Sequence, residues 1–185
     1  MAKRLFIAAD VDEATREQIA GISRSLRERI GTAAKASWVR ADKMHLTLHF
    51  FAAAESSVEL RILAALAEPI QERPFELSLE SVGFFPEHGS PRVLWLGIRR
   101  GATELVRVQG ILQRRLALSP ERETFRPHLT LARFRERVSR AKLAQIAKVP
   151  AWAGPARIDR VTLYESHLSP AGPSYVRLAE APLQP

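Results

Sequence analysis

The chain has no cysteine among its 185 residues. Disulfide bonds, thiolate metal sites and cysteine nucleophiles are therefore all excluded. The absence of cysteine is also compatible with a reducing compartment, where disulfides do not persist.

Long apolar runs are lacking as well. The first apolar stretch, from Leu5 to Ala9, is too short for the core of a signal peptide, and Asp10 closes it. No stretch approaches the ~20 apolar residues that a membrane helix needs. We therefore expect a cytoplasmic protein without a membrane segment, and we take a monomer as the default state.

Acidic residues are outnumbered by basic ones, 20 against 28, so the formal charge is +8. Such an excess favours a polyanionic partner, and nucleic acid is the obvious class. A basic surface that is only solvated fits the charge equally well. With 46% hydrophobic residues, the chain can bury a sizeable core. Its length suits a single domain over residues 1–185, built as one unit or as two merged lobes.

Strand-like and helix-like patterns alternate along the chain. Ser56 and Glu59 fit a capping box, and a Gly- and Pro-rich loop is predicted over 83–91. Several strands carry one polar face, which is typical of an α+β fold with antiparallel or mixed sheets. Helices are predicted from a cap at Asp10 or Asp12 to Gly31 and over 56–70, 105–116 and 139–149. Strands are predicted over 5–9, 44–51, 75–80, 92–98, 157–165 and 175–179, with a further strand within 125–134 that Pro127 can begin.

One tetrapeptide occurs twice. His45-Leu46-Thr47-Leu48 recurs nearly half a chain later as His128-Leu129-Thr130-Leu131. A single such motif would be weak evidence, but two copies on two predicted strands are far less easily produced by chance. The spacing indicates two similar lobes.

The spacing within each copy has a structural consequence. Residues i and i+2 of a strand point to the same face, so each copy presents an imidazole beside a hydroxyl and sends its leucines to the core. If the two strands face one another, two imidazoles and two hydroxyls converge. Histidine can act as base or acid near neutral pH, and hydroxyls can donate to phosphate oxygens. The pattern therefore predicts in-line displacement at a phosphodiester, with a bell-shaped pH profile.

No metal or other cofactor is expected. His49 follows His45 by four residues, but along a strand the two lie about 13 Å apart and cannot share one ion. The matching position in the second copy is Ala132. His49 is therefore expected to line the groove or to face solvent.

The paired motifs resemble the signatures of the two-histidine (2H) phosphoesterase superfamily. The surroundings are similar to its RNA 2′,3′-cyclic phosphodiesterase branch, also known as 2′-5′ RNA ligases. The supporting stretches are Arg4–Ala8, Trp38–Arg40, Gly83–Pro86, Arg92–Gly97 and Phe125–Arg133. The resemblance implies two pseudo-symmetric lobes, each an antiparallel sheet with helices on its outer face, and an active-site groove between them.

The resemblance also implies an activity and its residues. Members hydrolyse the 2′,3′-cyclic phosphate ends of RNA, or cyclic nucleotides, to 2′-phosphates without a metal. By position His45 would be the proton donor, His128 the proton acceptor, and Thr47 and Thr130 would hold the phosphate.

Three further residues are candidates for substrate binding. Arg133 resembles a family arginine that assists at the phosphate, although strict alternation puts it on the leucine face unless a bulge redirects it. Phe84 and Arg92 lie in or beside the predicted loop, where an aromatic ring can stack on a base and a guanidinium can grip a phosphate. A core position is the competing interpretation for Phe84.

Three alternatives to hydrolysis of RNA ends stay open. The same residues would serve 2′-5′ ligation, so the sequence cannot separate the two reactions. A non-catalytic RNA-binding module would keep the groove, but arginine and lysine suit plain binding better than neutral imidazoles. Hydrolysis of a different cyclic phosphodiester is also compatible with the motifs.

Overall fold

The fold, seen in a computed structural model that describes residues 2–119, 124–170 and 172–185, consists of two five-stranded sheets and outer helices. The strands are β1 (Lys3–Asp10), β2 (Ala36–Trp38), β3 (His45–Ala54), β4 (Ile70–Gln71), β5 (Phe75–Phe85), β6 (Val93–Arg100), β7 (His128–Phe134), β8 (Trp152–Ile158), β9 (Arg160–Ser169) and β10 (Gly172–Gln184). The helices are α1 (Glu13–Ile30), α2 (Ser56–Leu66), α3 (Ala102–Arg115) and α4 (Arg140–Leu143), with short 3-10 turns at Ala41–Lys43 and Ile146–Lys148.

Each motif strand belongs to a different sheet. The first sheet has the order β3-β1-β9-β10-β4 and the second the order β2-β7-β6-β5-β8. Neighbouring strands run antiparallel, except for the two-residue parallel pairing of β4 with β10. Strands β3 and β7 contact one another where the sheets meet. The predicted fold class, α+β with two antiparallel lobes, is thereby confirmed.

The two long helices cross between the lobes. Helix α1 follows β1 of the first sheet but packs against β8 of the second, where the Gln18 side chain accepts a hydrogen bond from the Gly154 backbone N–H (2.7 Å). Helix α3 follows β6 of the second sheet but packs against β3 and β4 of the first. The core of each lobe is therefore completed by a helix that follows, in the sequence, a strand of the other lobe.

Local signals explain where α1 begins and ends. Asp12 is the N-cap residue, and its side chain accepts from the Thr15 N–H (2.8 Å), which satisfies one free donor of the first turn. The helix stops at Gly31, whose φ of 48° suits a residue without a Cβ. Because Asp12 caps the helix, Asp10 is available for another role.

One predicted cap and several predicted boundaries are wrong. The Ser56 and Glu59 capping box does not form: Glu55 is the N-cap, and Glu59 pairs with Lys3 (2.7 Å). The helix predicted over 56–70 stops at Leu66, three residues before a proline that disfavours helix. The helix over 139–149 splits into α4 and a 3-10 turn. The strand over 157–165 is two strands of different sheets, separated at Asp159.

The loop predicted over 83–91 is also wrong in its first part. Strand β5 continues to Phe85, and Pro86, which has no N–H to donate, follows it. Within this strand the Trp95 ring lies directly against the backbone of Gly83, and a Cβ there would sit 2.1 Å from the ring. Only glycine leaves room for this contact. The glycine thus marks a close approach of a side chain rather than a turn.

No helix in the described part of the chain combines the length and the apolarity needed to cross a bilayer.

A core substitution in α3 tests the crossing of the helices. Leu112 is fully buried, whereas Val106 on the same helix is 43% exposed. Leu112→Ala should lower the free energy of unfolding by about 2–5 kcal/mol because it leaves a cavity, and Val106→Ala should change it by less than about 0.5 kcal/mol. Urea unfolding followed by circular dichroism measures both. Equal losses of unfolding free energy in the two variants would contradict the buried position of Leu112. A Leu112→Ala protein that unfolds in two separate steps would contradict a core that the two lobes share through their helices.

Candidate active site

The two motif strands carry the same irregularity. In β3, His49 lies opposite Ile7 and Thr47 opposite Ala8, so Leu48 is an extra residue without a partner. In β7, Ala132 lies opposite Leu94 and Thr130 opposite Trp95, so Leu131 is the corresponding extra residue. Each is a β-bulge, which reverses the inward and outward alternation beyond it.

The bulges decide which side chains reach the groove. Before each bulge the histidine and threonine of the motif are partly exposed and the leucine between them is buried. After it, His49 and Ala132 are buried, and Phe50 and Arg133 are exposed. The alternation that would have placed Arg133 on the leucine face is therefore overturned.

His49 does not line the groove, contrary to expectation. Its side chain is 4% exposed, and its Nε2 lies 3.1 Å from the Gln109 carbonyl of α3, to which it donates. The bulge at Leu48 turns this residue toward the helix that covers the first sheet.

His45 and His128 are held in the same way. Nδ1 of His45 lies 2.8 Å from the Lys43 carbonyl, and Nδ1 of His128 lies 2.8 Å from the Arg126 carbonyl. A carbonyl only accepts, so in both rings Nδ1 carries the proton. Nε2 is then the basic nitrogen of the neutral imidazole. The Thr47 hydroxyl lies 3.0 Å from Nε2 of His45 and donates to it.

Aromatic rings surround both imidazoles. His45 stacks on Phe6 with 4.6 Å between ring centroids and meets Tyr175 edge-on at 5.5 Å. His128 meets Phe85 edge-on at 4.9 Å and lies 6.3 Å from Trp95. These contacts fix the ring planes and remove water from one side of each imidazole.

Burial and one arginine control the charge of the pair. Burial lowers the pKa of His45 and of His128, and the Arg133 guanidinium lowers the pKa of both further. The backbone carbonyls act in the opposite direction, and for His45 so does the Asp10 carboxylate. Since one guanidinium acts on both rings, the two motifs share a single electrostatic site.

The remaining candidates lie at different places. Thr130 is partly buried on β7, opposite Trp95. Arg92 is exposed just before β6, where its N–H donates to the Phe85 carbonyl (2.7 Å). Phe84 is 6% exposed and packs near Phe134 with 6.3 Å between the rings. The placement predicted for Phe84 is therefore wrong, because alternation in β5 gives the groove its neighbour Phe85.

The described residues 2–119, 124–170 and 172–185 contain no group of three or more His, Asp or Glu side chains arranged to hold a metal ion.

The chain belongs to the 2′-5′ RNA ligase superfamily, whose family model matches residues 11–170. It is 32% identical over 180 residues to the RNA 2′,3′-cyclic phosphodiesterase of Methanothermobacter thermautotrophicus, covering 95% of this chain and 96% of that one. It is also 32% identical over 182 residues to the RNA 2′,3′-cyclic phosphodiesterase of Thermotoga maritima, covering 96% and 94%. The predicted family is confirmed.

Two solved structures also resemble this chain in fold. Escherichia coli LigT complexed with 3′-AMP superposes with a TM-score of 0.74 at 28% identity, covering 100% of this chain and 99% of that one. A crystal structure described as a phosphoesterase superposes with a TM-score of 0.77 at 27% identity, with both chains fully covered.

Removing the shared guanidinium should change both imidazoles together. Arg133→Gln should raise the pKa of His45 and of His128, because the nearby positive charge that disfavours the imidazolium is lost. The histidine ring protons, followed by NMR as the pH changes, report each pKa. Arg135→Gln, an exposed arginine two residues further along, is the matched control and should change neither. A rise in the pKa of one histidine alone would contradict the conclusion that Arg133 acts on both.

Proposed function

We propose that the protein is an RNA 2′,3′-cyclic phosphodiesterase that hydrolyses cyclic phosphate ends to 2′-phosphates by metal-free catalysis with two histidines. The observation that carries the proposal is the pair of imidazoles whose Nδ1–H groups each donate to the carbonyl two residues earlier, at 2.8 Å, which leaves Nε2 of each as the basic nitrogen. The names of the relatives support the substrate class.

The reaction assigns opposite tasks to the two rings. Water attacks phosphorus, Nε2 of His128 takes its proton, and the bond from phosphorus to the 3′-oxygen breaks. His45 gives its Nε2 proton to the departing 3′-oxygen, and a 2′-phosphate remains. Each positioned proton transfer contributes about 10²–10⁴-fold.

Charge in the groove explains how the pair becomes active. Burial and Arg133 leave both imidazoles neutral more readily than free histidine, but the reaction needs one of them protonated. A cyclic phosphate brings one negative charge, which offsets the guanidinium and favours an imidazolium. The Thr47 and Thr130 hydroxyls are suited to donate to the non-bridging phosphate oxygens, and the exposed Arg92 remains a candidate contact to the RNA backbone.

Ligation is the second candidate, and the family description favours it as an alternative. A 5′-hydroxyl would replace water as the nucleophile, with the same two histidines moving the protons. A module that only binds RNA is less well supported, because plain binding does not require two imidazoles with the same protonated nitrogen. The cytoplasmic location, the monomeric state and the single domain over residues 1–185 stay predictions.

Turnover in excess EDTA tests the proposal. The native protein should open 2′,3′-cyclic nucleotides and short RNAs with cyclic ends. His45→Ala and His128→Ala should each lose about 10²-fold or more in rate, because each removes one proton transfer. His88→Ala, an exposed histidine in the loop after β5, is the matched control and should keep native turnover.

Three results would overturn the assignment. They are turnover that EDTA abolishes and a divalent cation restores, turnover that survives either active-site substitution, and turnover of a 3′,5′-cyclic nucleotide in preference to the 2′,3′-cyclic ends.

A further inference from the structure

The two histidines differ in the residue that lies directly across the sheet. Asp10 of β1 is the antiparallel partner of His45, whereas Gly97 of β6 is the partner of His128. The positions correspond in the two lobes, because each is two residues beyond the partner of the motif threonine. The pseudo-symmetric site is thus asymmetric in charge.

The second lobe has no room for an acid at this position. A Cβ on Gly97 would lie 2.8 Å from Oγ of Ser81 and 3.0 Å from the carbonyl oxygen of Glu80. Part of that contact is with backbone, which cannot rotate away. The packing of β5 against β6 therefore disfavours any side chain opposite His128, because its Cβ would force these neighbours to shift.

Asp10 is held in place by two hydroxyls of β9. Thr162 donates to Oδ2 of Asp10 at 3.0 Å, and Tyr164 donates to the same oxygen at 2.8 Å. Burial, with the Asp10 charge as a further cause, raises the pKa of Tyr164 to about 12, so the phenol keeps its proton and remains a donor. These two donors therefore fix the carboxylate at the position directly across from His45.

The other groups around His45 do not repeat this effect. Arg133 approaches from β7 and carries a positive charge. Tyr164 from β9 and Tyr175 from β10 are protonated phenols whose pKa burial raises. Lys43 points its ammonium at the Tyr175 ring, 5.6 Å from the centroid, and donates to the Pro173 carbonyl. Among these described neighbours, Asp10 is the group that supplies negative charge.

We propose that Asp10 is a positioning residue that directs the single proton of the histidine pair to His45, so that His45 enters the reaction as the acid and His128 as the base. The inference rests on the proposed two-histidine reaction. It gives a physical cause for the choice of acid and base, which the two identical His-Leu-Thr-Leu motifs cannot supply by themselves. A negative charge beside one of two imidazoles favours the protonated form of that one.

Asp10→Asn tests the proposal, because it keeps the shape of the side chain and removes its charge. NMR titration without substrate should show the pKa of His45 falling by about one unit, the lower end of the effect of an opposite charge, while the pKa of His128 stays in place. The His45→Ala and His128→Ala proteins assign the signals. Asp42→Asn, which removes an exposed carboxylate paired with Arg40, is the matched control. It should change the pKa of neither histidine.

The pH profile of kcat/KM gives a second readout. An acid must be protonated, so the alkaline limb belongs to His45 and should move to lower pH by the same amount, with about tenfold less activity above it. The acidic limb should not move. If the titration shifts as expected but no variant turns over a cyclic phosphate, the proposed function fails and the effect of Asp10 stands.

Two results would overturn the role of Asp10. They are an unchanged pKa of His45 in the Asp10→Asn protein, and an equal change in the pKa of both histidines. Tyr164→Phe covers the case in which Asp10→Asn does not fold, since it removes one donor and leaves the carboxylate. A less compensated carboxylate should leave the pKa of His45 unchanged or higher. A fall in that pKa would indicate a purely structural role and would contradict the proposal.

Discussion

The active site depends on one extra residue in each motif strand. A strand of strict period two would send the fourth and fifth residues after the histidine to the wrong faces. The bulges at Leu48 and Leu131 reverse the alternation after the threonine. Before each bulge ordinary alternation sends the histidine and the threonine to the groove and the leucine between them to the core, and beyond the second bulge Arg133 is exposed on the groove side. The same irregularity in both lobes is what makes the site pseudo-symmetric.

Chemistry requires that this symmetry be broken. Two equivalent imidazoles would share a proton equally, and only one of the two arrangements would be productive for a given orientation of substrate. Arg133 acts on both rings and so lowers the affinity of the whole site for protons. Asp10 lies opposite one ring only, because the position opposite His128 is Gly97, where tight packing disfavours a side chain. The common charge sets the response to an anionic substrate, and the unequal charge sets the direction of proton transfer.

The sequence predicts the parts of this site that follow from repetition and periodicity, and fails where backbone irregularity intervenes. The duplicated tetrapeptide identifies two strands and two lobes, because period two is a strong signal. Bulges have no such signal, so alternation puts His49 in the groove or in solvent, and it leaves Arg133 on the leucine face unless a bulge is assumed. Phe84 was misplaced because a glycine that admits a ring resembles a glycine that makes a turn. Asp10 and Tyr164 were missed because strands that are largely buried on both faces hide their alternation.

The position of the phosphate in the product tests the central claim most directly. If His45 protonates the 3′-oxygen while His128 activates water on the other side of phosphorus, an RNA ending in a 2′,3′-cyclic phosphate must yield a 2′-phosphate alone. Chromatography of the products against authentic 2′- and 3′-phosphates measures this. A single 2′-phosphate product is the predicted result. A 3′-phosphate, or a mixture of the two, would contradict fixed roles for the two histidines.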